Sequence, residues 1–224
     1  VNCLMIIDKN LLVSSINYAR LCQRNFDDKS VKPDDVELFK TLIEFAPRKQ
    51  GVVWHKTLFI ENRELIHDMY MSSRDHGYHS PHNAQMSAPL LVIALPYSEY
   101  KSQHYEETVA TNFNNENREK TSYRFISEDM HTSVGIHMGM LALAANQLGY
   151  RTGFCTCFDD NFRSILYRLL KEEYDKELID DRVVTALGIG YPIETIPHNY
   201  DVKINTAMYR HKSMWVDNDL VHIK

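Results

Sequence analysis

Two arginines four residues apart, in Arg20-Leu21-Cys22-Gln23-Arg24-Asn25-Phe26, are the side chains here best suited to hold an anion. They stand where a helix gives way to a polar connection, so both guanidinium groups can turn toward one phosphate. Each presents a planar fork of donors that matches phosphate oxygens. From the residues alone, a pair of solvated surface arginines is the default reading. A second group, Phe154-Cys155-Thr156-Cys157, follows a segment with little charge. A redox pair made by Cys155 and Cys157 would need a sharp turn to bring its sulfurs together, and one intervening residue is not C-x-x-C spacing. His76, His79 and His82 recur every third residue beside Asp75. Metal sites of that kind usually recruit a carboxylate or thiolate as well, and a polar loop of solvated imidazoles is the reading taken. Neither G-x-G-x-x-G nor G-x-x-x-x-G-K-[ST] occurs, so no Rossmann turn or P-loop is indicated. Gly188-Ile189-Gly190 lies inside an apolar run, where close packing is its expected role.

The elements that must position these groups follow from periodicity. Residues 11–20 read as a helix with Asp8 or Asn10 near its start. Pro33-Asp34-Asp35 opens a second, because Pro is tolerated in a first turn and acids favour the positive end of the helix dipole. Val36, Phe39, Leu42, Ile43 and Ala46 give it one apolar stripe, and Pro47 stops it. Residues 52–60 are β-branched and aromatic, hence a strand, residues 63–71 a helix, and residues 72–87 a loop. Residues 88–95 are continuously apolar, as in a strand buried on both faces.

Residues 98–128 form a long polar excursion, expected to be partly helical and to cover something. Its Tyr105, Phe113, Tyr123 and Phe125 either stack on a flat substrate or anchor the excursion to the core. From Asp129 the chain is rich in Ala, Leu and Met, which predicts a helix apolar on most of its circumference and therefore buried. Asp129 stands where an N-cap would, and Gly149 where a C′ glycine would. Gly135 and Gly139 share one face, opening a place where another backbone can approach. Residues 161–171, with Phe162, Ile165, Leu166 and Leu169 on one side, read as a helix, and 183–191 as a buried strand ended by Pro192. The tail, 193–224, has no pattern of its own and is expected to find order by docking on a second subunit.

Composition sets the outer bounds. A chain of 224 residues with 44% hydrophobic and 25% charged residues suits one sizeable soluble globular domain or two small ones, and a single domain spanning 1–224 is the expectation taken. A net charge of −5 without a dense basic run gives no footprint for nucleic acid. The apolar run around His137 is too short to span a membrane, so neither a membrane nor a nucleic-acid partner is expected. No secretory signal is visible, although the sequence begins at Val1. Cys3, Cys22, Cys155 and Cys157 lack disulfide-framework or zinc spacing. A reduced, cytoplasmic protein is the expectation.

The order of these features resembles the FMN-dependent nitroreductase family. A helix leads into R-x-x-x-R-x-F, a second helix ends at Ala46-Pro47, and a strand carries Trp54. The segment from Asp129 to Gly149 is similar to that family's long central helix. Gly149 to Phe158 with Asp159 is similar to its flavin-edge segment, and Leu187 to Pro192 to its last core strand. The resemblance covers roughly residues 11–192. It implies an α+β fold, a three-layer α/β/α arrangement with a mostly antiparallel central sheet. It also implies an intertwined homodimer with two FMN sites at the interface.

The implied activity passes electrons from NADH or NADPH, through FMN, to a small flat acceptor such as a nitroaromatic or quinone. The isoalloxazine carries the hydride chemistry. By motif position Arg20, Leu21, Cys22 and Arg24 fall on the family's Arg-x-Ser-x-Arg/Lys site, where Arg20 would bind the phosphate and Arg24 would lie near the phosphate or the pyrimidine edge. Cys22 replaces the usual serine, and a thiol is a poorer donor to phosphate. The family's Asn-x-Gln-Pro is reduced here to Gln50, flanked by Arg48 and Lys49. Asn83 matches a ribityl or pyrimidine contact. Phe154 and Cys155 lead into Thr156 and Cys157, whose backbone would approach flavin N5. Arg210 and Lys212 resemble late basic phosphate contacts. Rival readings are a specialised dehalogenase-like or flavin-consuming enzyme and a non-catalytic flavin-binding dimer.

Overall fold

A computed structural model describes residues 8–19, 22–49, 55–74, 84–96, 118–156, 164–166 and 185–193. The chain divides into two compact units, Val1–Pro192 and Ile193–Lys224, and beyond Ile193 the second lies outside the described residues.

Helix α1 (Lys9–Ala19) starts at Asp8, whose Oδ1 accepts the backbone N–H of Asn10 at 2.9 Å and of Leu11 at 3.2 Å. That satisfies two donors that no turn of helix can reach. Helix α2 (Pro33–Phe45) has Pro in its first turn with Asp34 and Asp35 beside it, and it ends at Ala46. Ala46 is extended (φ −62°, ψ 144°), the conformation that a following proline imposes. Helix α3 is Arg63–Arg74, and a short 3-10 helix, Ala84–Ser87, falls in the stretch expected to be loop.

Four strands, β1 (His55–Ile60), β2 (Leu90–Pro96), β3 (Arg151–Cys155) and β4 (Thr185–Gly190), pair in the order β1-β2-β4-β3. Every pairing is antiparallel. Strand β2 shows why its sequence reads as one apolar run. Successive side chains point to opposite faces. Leu90, Val92 and Ala94 pack with α2 residues Val36, Phe39 and Ile43 and with the central helix, while Leu91, Ile93 and Leu95 pack with Ile66 and Met69 of α3 and with Met86. Helices thus cover both faces of the sheet. Of residues 161–171 only 164–166 are described; they are helical, and Leu166 is buried in the α3 layer.

The central helix, α4, runs from Arg118 to Gln147. Asp129 is therefore an interior residue and not the N-cap. The helix extends into the last part of the polar excursion, since Glu, Lys and Arg are good helix formers and need no burial. The remaining excursion residues, 97–117, lie outside the described residues. The C-terminal end behaves as its sequence predicts. Gly149 has φ 90°, its N–H reaches the Asn146 carbonyl at 3.3 Å, and the Tyr150 N–H reaches that of Ala145 at 3.0 Å. These two bonds are the Schellman closure, which needs a left-handed residue and so favours glycine.

The helix is not buried all round. Val134, Met138, Leu141, Ala142 and Ala145 are in the core, whereas Gly135, Ile136, Gly139 and Met140 are exposed. Tyr150, just past the closure, locks α4 to the start of α2. Its buried hydroxyl donates to Asp35 Oδ2 at 2.5 Å and accepts the Lys32 N–H at 3.2 Å. Burial, and then donation to Asp35, hold this phenol well above its usual pKa. Among the described residues no helix is long and apolar enough to cross a membrane.

Candidate functional site

The site grows from three glycines on one face of the sheet. Gly153 of β3 is the register partner of Gly188 of β4, and Gly190 lies two residues further along the same face. The missing side chains let other backbone segments lie directly on the strands. A Cβ on Gly188 would fall on the Gln85 carbonyl oxygen and 2.9 Å from Ala88 Cβ. One on Gly153 would fall on the Gln23 carbonyl oxygen and 2.6 Å from Gln85 Cβ. Gly190 admits the Pro89 ring and Phe26 in the same way.

The connection after α1 is held to this surface by its own backbone. The Gln23 N–H donates to the Thr152 carbonyl at 2.8 Å, the Asp27 N–H donates to that of Tyr191 at 2.9 Å, and Phe26 bridges to Pro192. This docking carries Cys22 and Arg24 to the end of β3, the strand that leads into Thr156. Two side chains converge there on one acceptor. Gln85 Nε2 donates to the Phe154 carbonyl at 3.1 Å, and the Cys22 thiol approaches the same oxygen at 3.6 Å. The thiol therefore points along the protein's own backbone. Burial pushes its pKa up, and the neighbouring Arg24 charge offsets only part of that. A thiol kept protonated is a poor nucleophile, and the contact this one makes is to the backbone.

Gln85 was not singled out from the sequence. Its carbonyl partner can only accept, so the amide must turn its NH2 toward Phe154 and its Oε1 away. That Oε1 is buried and has no hydrogen-bond partner among the described residues. Nothing in the local sequence marks it, because an amide before a strand is ordinary. Only the glycine-lined face beneath makes it a site residue.

Of the residues named from the sequence, Cys22, Arg24, Phe154, Cys155 and Thr156 are described, and the first three come together. Cys155 closes β3 as a regular strand residue, with its side chain buried among Ile66, Met86 and Ala186 in the α3 layer. Thr156 follows it and is exposed. Arg20, Leu21, Gln50, Asn83, Cys157, Arg210 and Lys212 lie outside the described residues, as do His76, His79 and His82.

A buried histidine pair lies near the other end of β1. His137 Nδ1 is 3.2 Å from His55 Nε2, and His137 Nε2 is 3.1 Å from the Pro47 carbonyl. Because that carbonyl only accepts, His137 carries its hydrogen on Nε2 and receives one from His55 Nε2. His55 Nδ1 is then a buried acceptor without a partner. Burial first, then His137 and the Arg48 charge, push the His55 pKa down to about 4. The one signal in the sequence was His137 itself, a polar residue inside an apolar helix that had to find a partner.

No protein-family model matches this sequence, and no curated protein is found as a relative. Solved structures do match the fold. A nitroreductase with bound FMN from Bacteroides fragilis superposes with a TM-score of 0.59 at 15% identity, over 95% of this chain and 98% of that one. An FMN-dependent nitroreductase from Clostridium difficile gives a TM-score of 0.56 at 15% identity, over 95% and 98% of the two chains. A putative NADH oxidase from Clostridium acetobutylicum gives 0.54 at 17% identity, over 84% of this chain and 96% of that one. The chain has the nitroreductase fold. Within that fold its described sheet is an antiparallel one of four strands, covered by helices on both faces.

Proposed function

We propose that the protein is an FMN-dependent oxidoreductase that draws electrons from NADH or NADPH and passes them to a flat organic acceptor, a nitroaromatic or a quinone. The observation that carries this reading is the docking of residues 22–26 onto the glycine face, which brings Arg24 and Cys22 to the end of the strand leading into Thr156. Three features fit the cofactor. Arg24 offers a cation for the phosphate, the glycine face lets backbone stand close to a bound group, and Gln85 Oε1 leaves an acceptor open. Bound FMN would supply the hydride chemistry, and the chain would bind it, orient it and keep water from it.

The purified protein is expected to be yellow and to bleach anaerobically with NADH or NADPH. An Arg24→Ala variant, losing a charge-assisted hydrogen bond, should bind FMN about 10- to 100-fold more weakly by fluorescence titration. Unchanged retention would take Arg24 out of the site. A colourless protein that binds no added FMN would overturn the reading itself.

The same reading makes the working unit a homodimer. Its support is the open face of α4, where Ile136 and Met140 are exposed and nothing stands within 4 Å of a Cβ on Gly135 or Gly139. Leu11, Val13 and Ile16 of α1 are exposed as well. An apolar helix face with small residues is suited to close approach by a second copy. Light scattering should give twice the chain mass, and the pair Ile136→Glu with Met140→Glu should give a folded monomer. A wild-type monomer at micromolar concentration would refute the dimer.

A further inference from the structure

The open acceptor on Gln85 has a use that the phosphate and ring-edge contacts leave unassigned. We propose that Gln85 is a ligand-contacting residue whose Oε1 accepts a hydrogen bond from a hydroxyl of the polyol that joins the flavin ring to its phosphate. The proposal rests on the flavin reading above.

Four observations lead to it. The amide has one orientation, since Nε2 must face the Phe154 carbonyl at 3.1 Å. Gln85 is 3% exposed, and its Oε1 has no partner. Leaving a buried amide oxygen unmet is costly, an arrangement retained where a ligand's donor completes it. The backbone of the residue is fixed, because its own carbonyl is pressed against Gly188 and its Cβ against Gly153. Its position also selects the ligand atom. Gln85 and Cys22 reach the same Phe154 carbonyl, Cys22 on the segment read as the phosphate site and Phe154 on the strand that leads to the ring edge. The part of an FMN molecule lying between phosphate and ring is a chain of hydroxyls, which are neutral donors.

The test compares three flavins: FMN, riboflavin, and lumiflavin, which has no polyol. In Gln85→Met, close in volume and without polar atoms, affinity for FMN and riboflavin should each fall about 3- to 10-fold, with lumiflavin unchanged. Equal affinities of variant and wild type for FMN would overturn the proposal while leaving the flavin reading intact. A uniform loss for all three ligands would also overturn it, assigning Gln85 a purely structural part. A wild type that binds no flavin would remove both readings together. Should Gln85→Met fail to fold, the wild type decides by nuclear magnetic resonance. The Gln85 side-chain amide signals should move with riboflavin and stay still with lumiflavin, and equal movement with both would sink the assignment.

Discussion

Lowering the pH from 7 to 4 should cost the protein about 3 kcal/mol of stability through one histidine, His55. Its pKa is about 4 in the folded chain against an ordinary 6.5. The sign follows from proton counting. Between those two values the unfolded chain holds a proton on this residue and the folded chain does not, so acid favours unfolding. The loss begins as pH falls through 6.5 and levels off below about 4. His137 is lowered too, by burial first, and it acts in the same direction. The two share a hydrogen bond, so the first proton belongs to the pair. Against a typical total of about 5–15 kcal/mol the effect is large. Urea midpoints measured from pH 7 to pH 4 will check it. The double variant His55→Phe with His137→Leu removes both imidazoles and should flatten the profile between pH 6.5 and 4.5. A wild-type midpoint constant over that range would show that neither ring is held neutral.

The glycines divide into two kinds with opposite expected responses. Gly188→Ala should destabilise the protein by about 3 kcal/mol or more, the upper range for overpacking. The new methyl would meet the Gln85 carbonyl and the Ala88 Cβ at 2.9 Å, neither of them the loose end of a flexible side chain. Under the flavin reading it should also loosen flavin binding by displacing Gln85. Gly139→Ala meets nothing within 4 Å in the subunit. It replaces a poor helix former by the best one and should stabilise a lone subunit by up to about 1 kcal/mol. Under the dimer reading the same methyl should weaken self-association. Thermal melts of both variants, with sedimentation of the second, separate these outcomes. Equal losses in the two would mean that the glycine face is not packed as described.

Much of the frame was legible in the sequence because short-range rules govern it. Asp8, Pro33-Asp34-Asp35 and Ala46-Pro47 start and stop helices through contacts a few residues long. Gly149 closes α4 for the same reason. The uninterrupted apolar run of β2 specified a strand covered on both sides. The start of α4 was missed because no cap signal competes with a polar sequence that simply continues as solvated helix. That left Asp129 looking like a boundary when it is an interior residue.

The candidate site was legible only in part. Arg20 and Arg24 suggested an anion site by type and spacing without excluding a solvated pair, and the chain order carried the resemblance to a flavin fold. What the thiol of Cys22 faces, and which residues share its surroundings, required the folded chain. Gln85 lies 69 residues from Phe154 in sequence, and His55 lies 82 from His137. Local preferences cannot encode a contact over such distances, since its partners are chosen by strand register and by which face a glycine leaves bare. The sequence by itself determined the helices, the buried strand and the class of chemistry to look for. The tertiary structure alone decided which polar atoms are left buried without partners, because burial is a property of the packed assembly and belongs to no single segment.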